Sequence, residues 1–280
     1  MASPLPGAKE PAGVNRASLV TRIGTGIVYV AVVVGALWLG RWTTMILASA
    51  LAFLVAREIF ELARIDGKQP DRLSGAIGAA LIPVLSGFFG LRGALLGIAF
   101  VMIWGLAWYV IALRSRFIDA TITIVGAIYP GLMLAAFVLL RDSIAGVWPV
   151  LVVVLSVWVA DSFAYLFGSL FGRHKLAPKV SPKKSWEGFL AGIIGSILVW
   201  QLMTLIPNLE VGHVFATVGG FVAAVAGLTG DLVESRLKRE VGVKDSGTAL
   251  PGHGGFFDRM DSLLFVLPIS ALVFYFAGVL

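Results

Sequence analysis

Six of the 16 carboxylates in this chain fall between positions 231 and 261: Asp231, Glu234, Glu240, Asp245, Asp258 and Asp261. At helical spacing Asp231, Glu234, Ser235 and Lys238 stand at i, i+3, i+4 and i+7 and share one face. Gly242 can end that helix. Asp258, Asp261 and Ser262 repeat the i, i+3, i+4 spacing at the start of a following helix, so two helix ends can converge on one polar pocket. Between them, Lys244-Asp245-Ser246-Gly247 and Pro251-Gly252-His253-Gly254-Gly255 supply closely approaching backbone suited to wrapping phosphate groups. Hard divalent cations take oxygen ligands, and Mg²⁺ combines one or two carboxylates with substrate phosphates, so aspartates clustered beside lysines fit phosphate chemistry. The plainer alternative is a salt-bridged loop in which Asp231 and Asp258 pair Arg and Lys.

A second polar stretch runs from Gly172 to Gly188 and carries Lys183 and Lys184. Ser181 followed by Pro182 reads as a helix start, with Ser at the N-cap and Pro at the first helical position. That start sets both lysines at a positive helix end, an anion site. Glu187 stands i+4 from Lys183, either as its tether or as a functional group. Trp186 suits a headgroup-level anchor better than a nucleotide stacker. Asp161 lies in an otherwise apolar stretch, where a carboxylate must be paired or wet. With Ser162, Tyr165 and Gly168 it faces the bundle interior, toward a substrate cavity or a structural Arg or Lys. His174 and His213 have no partner spacing and default to structural roles.

The elements that must position these groups are membrane helices. Hydrophobic residues make up 58% of the 280 and charged ones 14%, far from a soluble balance. Apolar stretches long enough to span a bilayer of about 30 Å are parted by short polar joints. We read nine helices, over 23–40, 43–64, 73–90, 93–113, 119–140, 147–168, 188–206, 213–240 and 260–279. The all-α fold is then one polytopic membrane domain over 23–280, its polar half at about 150–265, after a mobile segment over 1–22. All but three of the 22 basic residues, Arg41, Arg92 and Arg141, fall on one side of this arrangement. The positive-inside rule places that side and the N-terminus in the cytoplasm and the C-terminus opposite. The first apolar run follows Arg16 and Arg22 and reads as an uncleaved span, not a signal peptide. The net charge of +6 lies between spans and not on an aromatic-rich surface, which argues against nucleic acid. The absence of cysteine excludes disulfides, cysteine zinc sites and thiol nucleophiles.

The run from Ser235 to Asp261, with Lys238-Arg239, Lys244-Asp245, Gly247, Leu250-Pro251, His253-Gly254-Gly255 and Asp258-Arg259, resembles the C-terminal signature of phosphatidate cytidylyltransferases, also called CDP-diglyceride synthetases. Asp161-Ser-Phe-Ala-Tyr165, Gly168, Gly172 and Ser181-Pro-Lys-Lys-Ser-Trp-Glu-Gly188 are similar to the same family, whereas the first half matches only as hydrophobic spans. The resemblance implies CTP and phosphatidic acid as substrates, Mg²⁺ with room for a second cation, homodimers among membrane lipids, and a bacterial cytoplasmic membrane. On it, Asp231, Asp258 and Asp261 become the expected metal ligands. Lys183, Lys184, Lys238, Lys244 and Arg259 would balance the phosphates, and His253, Gly254 and Gly255 would shape the loop over them. Asp245 would be a ligand or orient Lys244, and Asp161, Ser181, Glu187 and Ser235 would line the substrate site. The expected step is in-line attack of the lipid phosphate on the α-phosphorus of CTP. Two rivals are a CTP-dependent polyprenol kinase and a cation-coupled transporter.

Overall fold

Hydrocarbon offers no partners for backbone N–H and C=O groups, so an apolar chain of this kind satisfies them within helices. The computed structural model describes residues 16–206, 209, 211–247, 249 and 254–280, with the backbone alone for 16–23 and 25. The described helices are α1 (Arg16–Leu39), α2 (Arg41–Ile65), α3 (Arg72–Ile111), α4 (Phe117–Arg141), α5 (Trp148–Phe171), α6 (Trp186–Met203), α7 (His213–Glu240) and α8 (Phe257–Phe276). Two strands, β1 (Lys175–Ala177) and β2 (Ser181–Ser185), form an antiparallel hairpin between α5 and α6. Among the described residues, six helices, α3 to α8, are long and apolar enough to cross a membrane. Of the segment expected to be mobile, residues 1–15 lie outside the described residues, and α1 begins at Arg16.

α3 is two arms. Gly90 inside it adopts φ 61 and ψ −143, a conformation that breaks the helix and that glycine reaches without a Cβ penalty. A Cβ on Gly93 would collide with the Leu85 carbonyl, one on Gly97 would lie 3.0 Å from Ile82 Cα, and one on Gly78 would lie 2.9 Å from Val101. Residue numbers rise on one arm as they fall on the other, so the arms run antiparallel and pack through small residues, as membrane helices do. This turn brings the last turns of α2, α5 and α7 and the first turns of α6 and α8 to one end of the bundle. There Glu58 of α2 accepts the N–H groups of Phe256 and Phe257, the cap and first residue of α8, at 2.9 and 2.8 Å.

The core between the helices holds Phe60, Leu134, Trp200, Phe257 and Phe274, all fully buried. Trp200 and Phe274 stack with ring centroids 5.0 Å apart and join α6 to α8. Outward faces carry exposed Phe88, Leu95, Ile103, Val110 and Leu198, which suit acyl chains.

One expectation is overturned locally. Ser181 does not cap a helix: Ser181–Ser185 is strand β2, and α6 starts at Trp186. The cap is Ser185, whose Oγ accepts the Gly188 N–H at 3.2 Å. Pro182 is tolerated because a two-stranded hairpin is all edge. Lys183 and Lys184 therefore project from a strand, not from a helix N-terminus. α7 ends as expected, at Val241 followed by Gly242 with φ 74, while α8 begins three residues before the expected 260.

Candidate active site

Gly230 fixes how closely α7 and α8 approach: a Cβ there would collide with the Asp261 carbonyl oxygen. That contact sets carboxylates of the two helices side by side. Oxygens of Asp231, Glu234 and Asp261 lie within 4.8 Å of one another. Six-coordinate magnesium, with ligands at about 2.1 Å, asks for oxygens roughly 3 to 4 Å apart, so a small inward movement of side chains closes the set around such an ion. Asp231 Oδ1 accepts the Ser235 hydroxyl at 3.1 Å, and its Oδ2 pairs with Lys184 of β2. Asp261 Oδ1 accepts the Ser262 N–H at 2.6 Å. The donor set is oxygen only, with lone pairs left over, and it fits a hard divalent cation.

Glu234 is the member that the sequence reading placed on the right face without assigning it a role. It is 2% exposed, and its Oε1 lies 2.7 Å from the Lys238 ammonium, outside hydrogen-bonding angles. A charge this deep is costly unless paired.

Asp258, expected among the metal ligands, is not one of these three grouped carboxylates. Its Oδ1 accepts Lys238 Nζ at 2.6 Å, and its Oδ2 accepts Ser246 N, Ser246 Oγ and Gly255 N at 2.9, 3.0 and 2.7 Å. Gly254 at φ 80 and Gly255 pass so close that a Cβ on Gly254 would lie 2.5 Å from Asp258 Oδ2. Glu58 Oε2 lies 2.8 Å from Ser246 Oγ, so the one Ser246 hydroxyl proton is shared between the two carboxylates. Asp258, Lys238 and Glu58 thus pin the glycine loop to α2, α7 and α8. Glu58 and Ser246 went unassigned in the sequence; the available signal was the Arg57-Glu58 pair closing an apolar run.

A cavity of about 610 Å³ opens beside this centre, within the range of small-ligand sites. Asp161, Lys183, Lys184 and Asp231 line its polar side, and Tyr165, Gly168 and Phe189 its apolar side. Asp161 lies in electrostatic range of both Lys184 and Asp231. Glu187 does not pair Lys183: it holds His174, with Nδ1 at 2.6 Å and the backbone N–H at 3.2 Å, and so ties the hairpin to α6. Ser181 sits at the far end of β2, opposite Ala177. Lys244 and Asp245 are exposed on the loop, and Arg259 is exposed in the first turn of α8. His253 lies outside the described residues.

The model of the cytidylyltransferase family matches residues 20–277. The chain belongs to that family. Relatives named phosphatidate cytidylyltransferase include one from Staphylococcus haemolyticus, 33% identical over 252 residues, with 88% of this chain and 95% of the relative covered. Those of Staphylococcus epidermidis and Staphylococcus aureus are 35% and 34% identical over 253 and 254 residues, with the same coverage. The match extends over the first half as well, which the motifs alone had left as anonymous hydrophobic spans. As a family member the chain is a nucleotidyl-transferring enzyme, and the resemblance drawn from its motifs stands.

Proposed function

We propose that this chain transfers the cytidylyl group of CTP to phosphatidic acid, giving CDP-diacylglycerol and pyrophosphate for phospholipid synthesis. The observation that carries the reading is that Asp231, grouped with Glu234 and Asp261, lines one cavity together with Lys183 and Lys184. The cavity's apolar wall belongs to α5 and α6, beside exposed Leu166 and Leu170, so a lipid headgroup can reach the site with its acyl chains still in the bilayer.

A phosphate oxygen of phosphatidic acid attacks the α-phosphorus of CTP; the bond from that phosphorus to the bridging oxygen breaks, and pyrophosphate leaves with the electron pair. The attacking phosphate is already anionic near neutral pH, so the protein's task is positioning and charge neutralisation. Asp231, Glu234 and Asp261 would hold Mg²⁺, which when bound neutralises phosphate charge; a second cation would need further oxygens from the substrates. Lys183 and Lys184 hold phosphate oxygens against the cavity wall. Asp258, Lys238, Glu58 and the Gly254-Gly255 backbone fix the loop that closes over them, with Lys244, Asp245 and His253 as its polar members and Arg259 beside it in the first turn of α8.

The basic-residue distribution supports a cytoplasmic site in a bacterial inner membrane, with nine crossings once both arms of α3 are counted. Homodimerisation rests on the resemblance alone. The test is label transfer from α-³²P-CTP by the detergent-purified chain with phosphatidic acid, with and without Mg²⁺. Label in the lipid phase only with both present is the expected result. Label reaching a polyprenol from the γ position, and none from the α position, would replace this reading with a kinase.

A further inference from the structure

A second cavity, of about 810 Å³, lies where α2, the α2–α3 connection and the second arm of α3 meet. Arg57, Arg64, Lys68 and Arg72 line it together with Phe53 and Trp108. Residues 53, 57, 61 and 64 form one stripe of α2, while Glu58, which holds the glycine loop, lies about 100° round the helix from Arg57. The two cavities share no lining residue: α2 walls this one, whereas α5, the hairpin, α6 and α7 wall the cavity beside the carboxylate centre.

A basic helix end is commonly just a solvated topology signal, and part of this charge is internally matched. Glu61 is held by Arg64 at 3.6 Å and by Arg72, and Lys68 lies 3.7 Å from exposed Asp66. Asp71 is turned inward to the Ser74 N–H at 3.3 Å, as the cap of α3. Four cations still face two lining carboxylates, and Arg57 has no ion-pair partner among the described residues. Two features go beyond a topology signal. The charges surround a concavity, and that concavity has an apolar wall, Phe53 and Trp108, continuous with exposed Leu73 and Ile111 on the lipid-facing surface. A cationic rim above an apolar wall at the end of membrane helices matches a phosphate group attached to acyl chains; free phosphate would use the rim alone.

We propose that this groove binds the phosphate headgroup of an anionic membrane phospholipid, at a site separate from the carboxylate centre. The test uses the full chain, purified and delipidated in detergent, with bound dioleoyl phosphatidylglycerol counted by native mass spectrometry. Phosphatidylcholine and inorganic phosphate serve as the other arms. Wild type should retain one more phosphatidylglycerol than Arg57→Gln/Lys68→Gln, with affinity for that molecule roughly 30-fold weaker in the variant. Lys184→Gln, altered in the other cavity, should retain it as wild type does. Lys68→Glu alone changes a partly exposed turn without touching α2 and should give the same loss, which guards against a misfolded double variant. Equal phosphatidylglycerol retention by wild type and both groove variants would overturn the proposal. So would inorganic phosphate binding at the groove without phosphatidylglycerol, or phosphatidylcholine retained equally well.

Discussion

Around Asp258 the protein supplies four donors, the Lys238 ammonium, Ser246 N–H and O–H and Gly255 N–H; around Asp231 and Asp261 it supplies few, and Asp231 opens onto a cavity. A carboxylate accepts about four hydrogen bonds, so Asp258 is saturated by its own chain. Its side chain is 7% exposed, against 27% for Asp231. The two aspartates lie on touching helices and look equivalent in sequence. Their donor counts separate a group that holds the fold from one with lone pairs left for a ligand.

The sharpest way to break this comparison is to remove charge from each side in turn. Asp231→Asn should lower turnover by about 10³-fold, the scale of losing a preorganised charge contact, with the unfolding midpoint in detergent nearly unchanged. Steady-state cytidylyl transfer and a thermal melt on one preparation check both halves. Asp258→Asn should reverse the emphasis. Removing the charged acceptor of the Lys238 ammonium and of the Ser246 and Gly255 N–H groups, with Glu234 the carboxylate still beside Lys238, costs about 3 kcal/mol, a drop of several degrees in the midpoint, and activity should fall in step with the folded fraction.

Glu58→Gln tests whether the loop is anchored from the first half of the chain. It replaces a charged acceptor of three donors and should cost about 1 to 2 kcal/mol, read as faster proteolysis in the 241–256 loop. The smallest effect is at the α6 cap. Ser185→Ala should cost about 1 kcal/mol and Ser181→Ala next to nothing; the opposite order in melts would restore a helix starting at Ser181.

The helices were legible because each apolar run is bounded by charge or by glycine, and the turn at Gly90 falls on the last residue of the run expected at 73–90, just before the one at 93–113. The hairpin was not. The N-cap signal reads at Ser181, and what moves the helix start to Trp186 is pairing of 181–185 with Lys175–Ala177, a contact that no local pattern records. The carboxylate centre was legible as a cluster, since a membrane chain spends acidic residues sparingly. Its division was not: Asp258 and Asp231 have the same type and comparable spacing, and only the folded loop reveals which one is filled by backbone donors. Glu58 was invisible as a partner because 188 residues separate it from Ser246.

The most direct test of that division is Mn²⁺ binding, followed by electron paramagnetic resonance on purified wild type, Asp231→Asn and Asp258→Asn. The account predicts that Asp231→Asn loses the bound ion while folded Asp258→Asn keeps it. Wild-type Mn²⁺ binding by Asp231→Asn, with loss confined to Asp258→Asn, would contradict it.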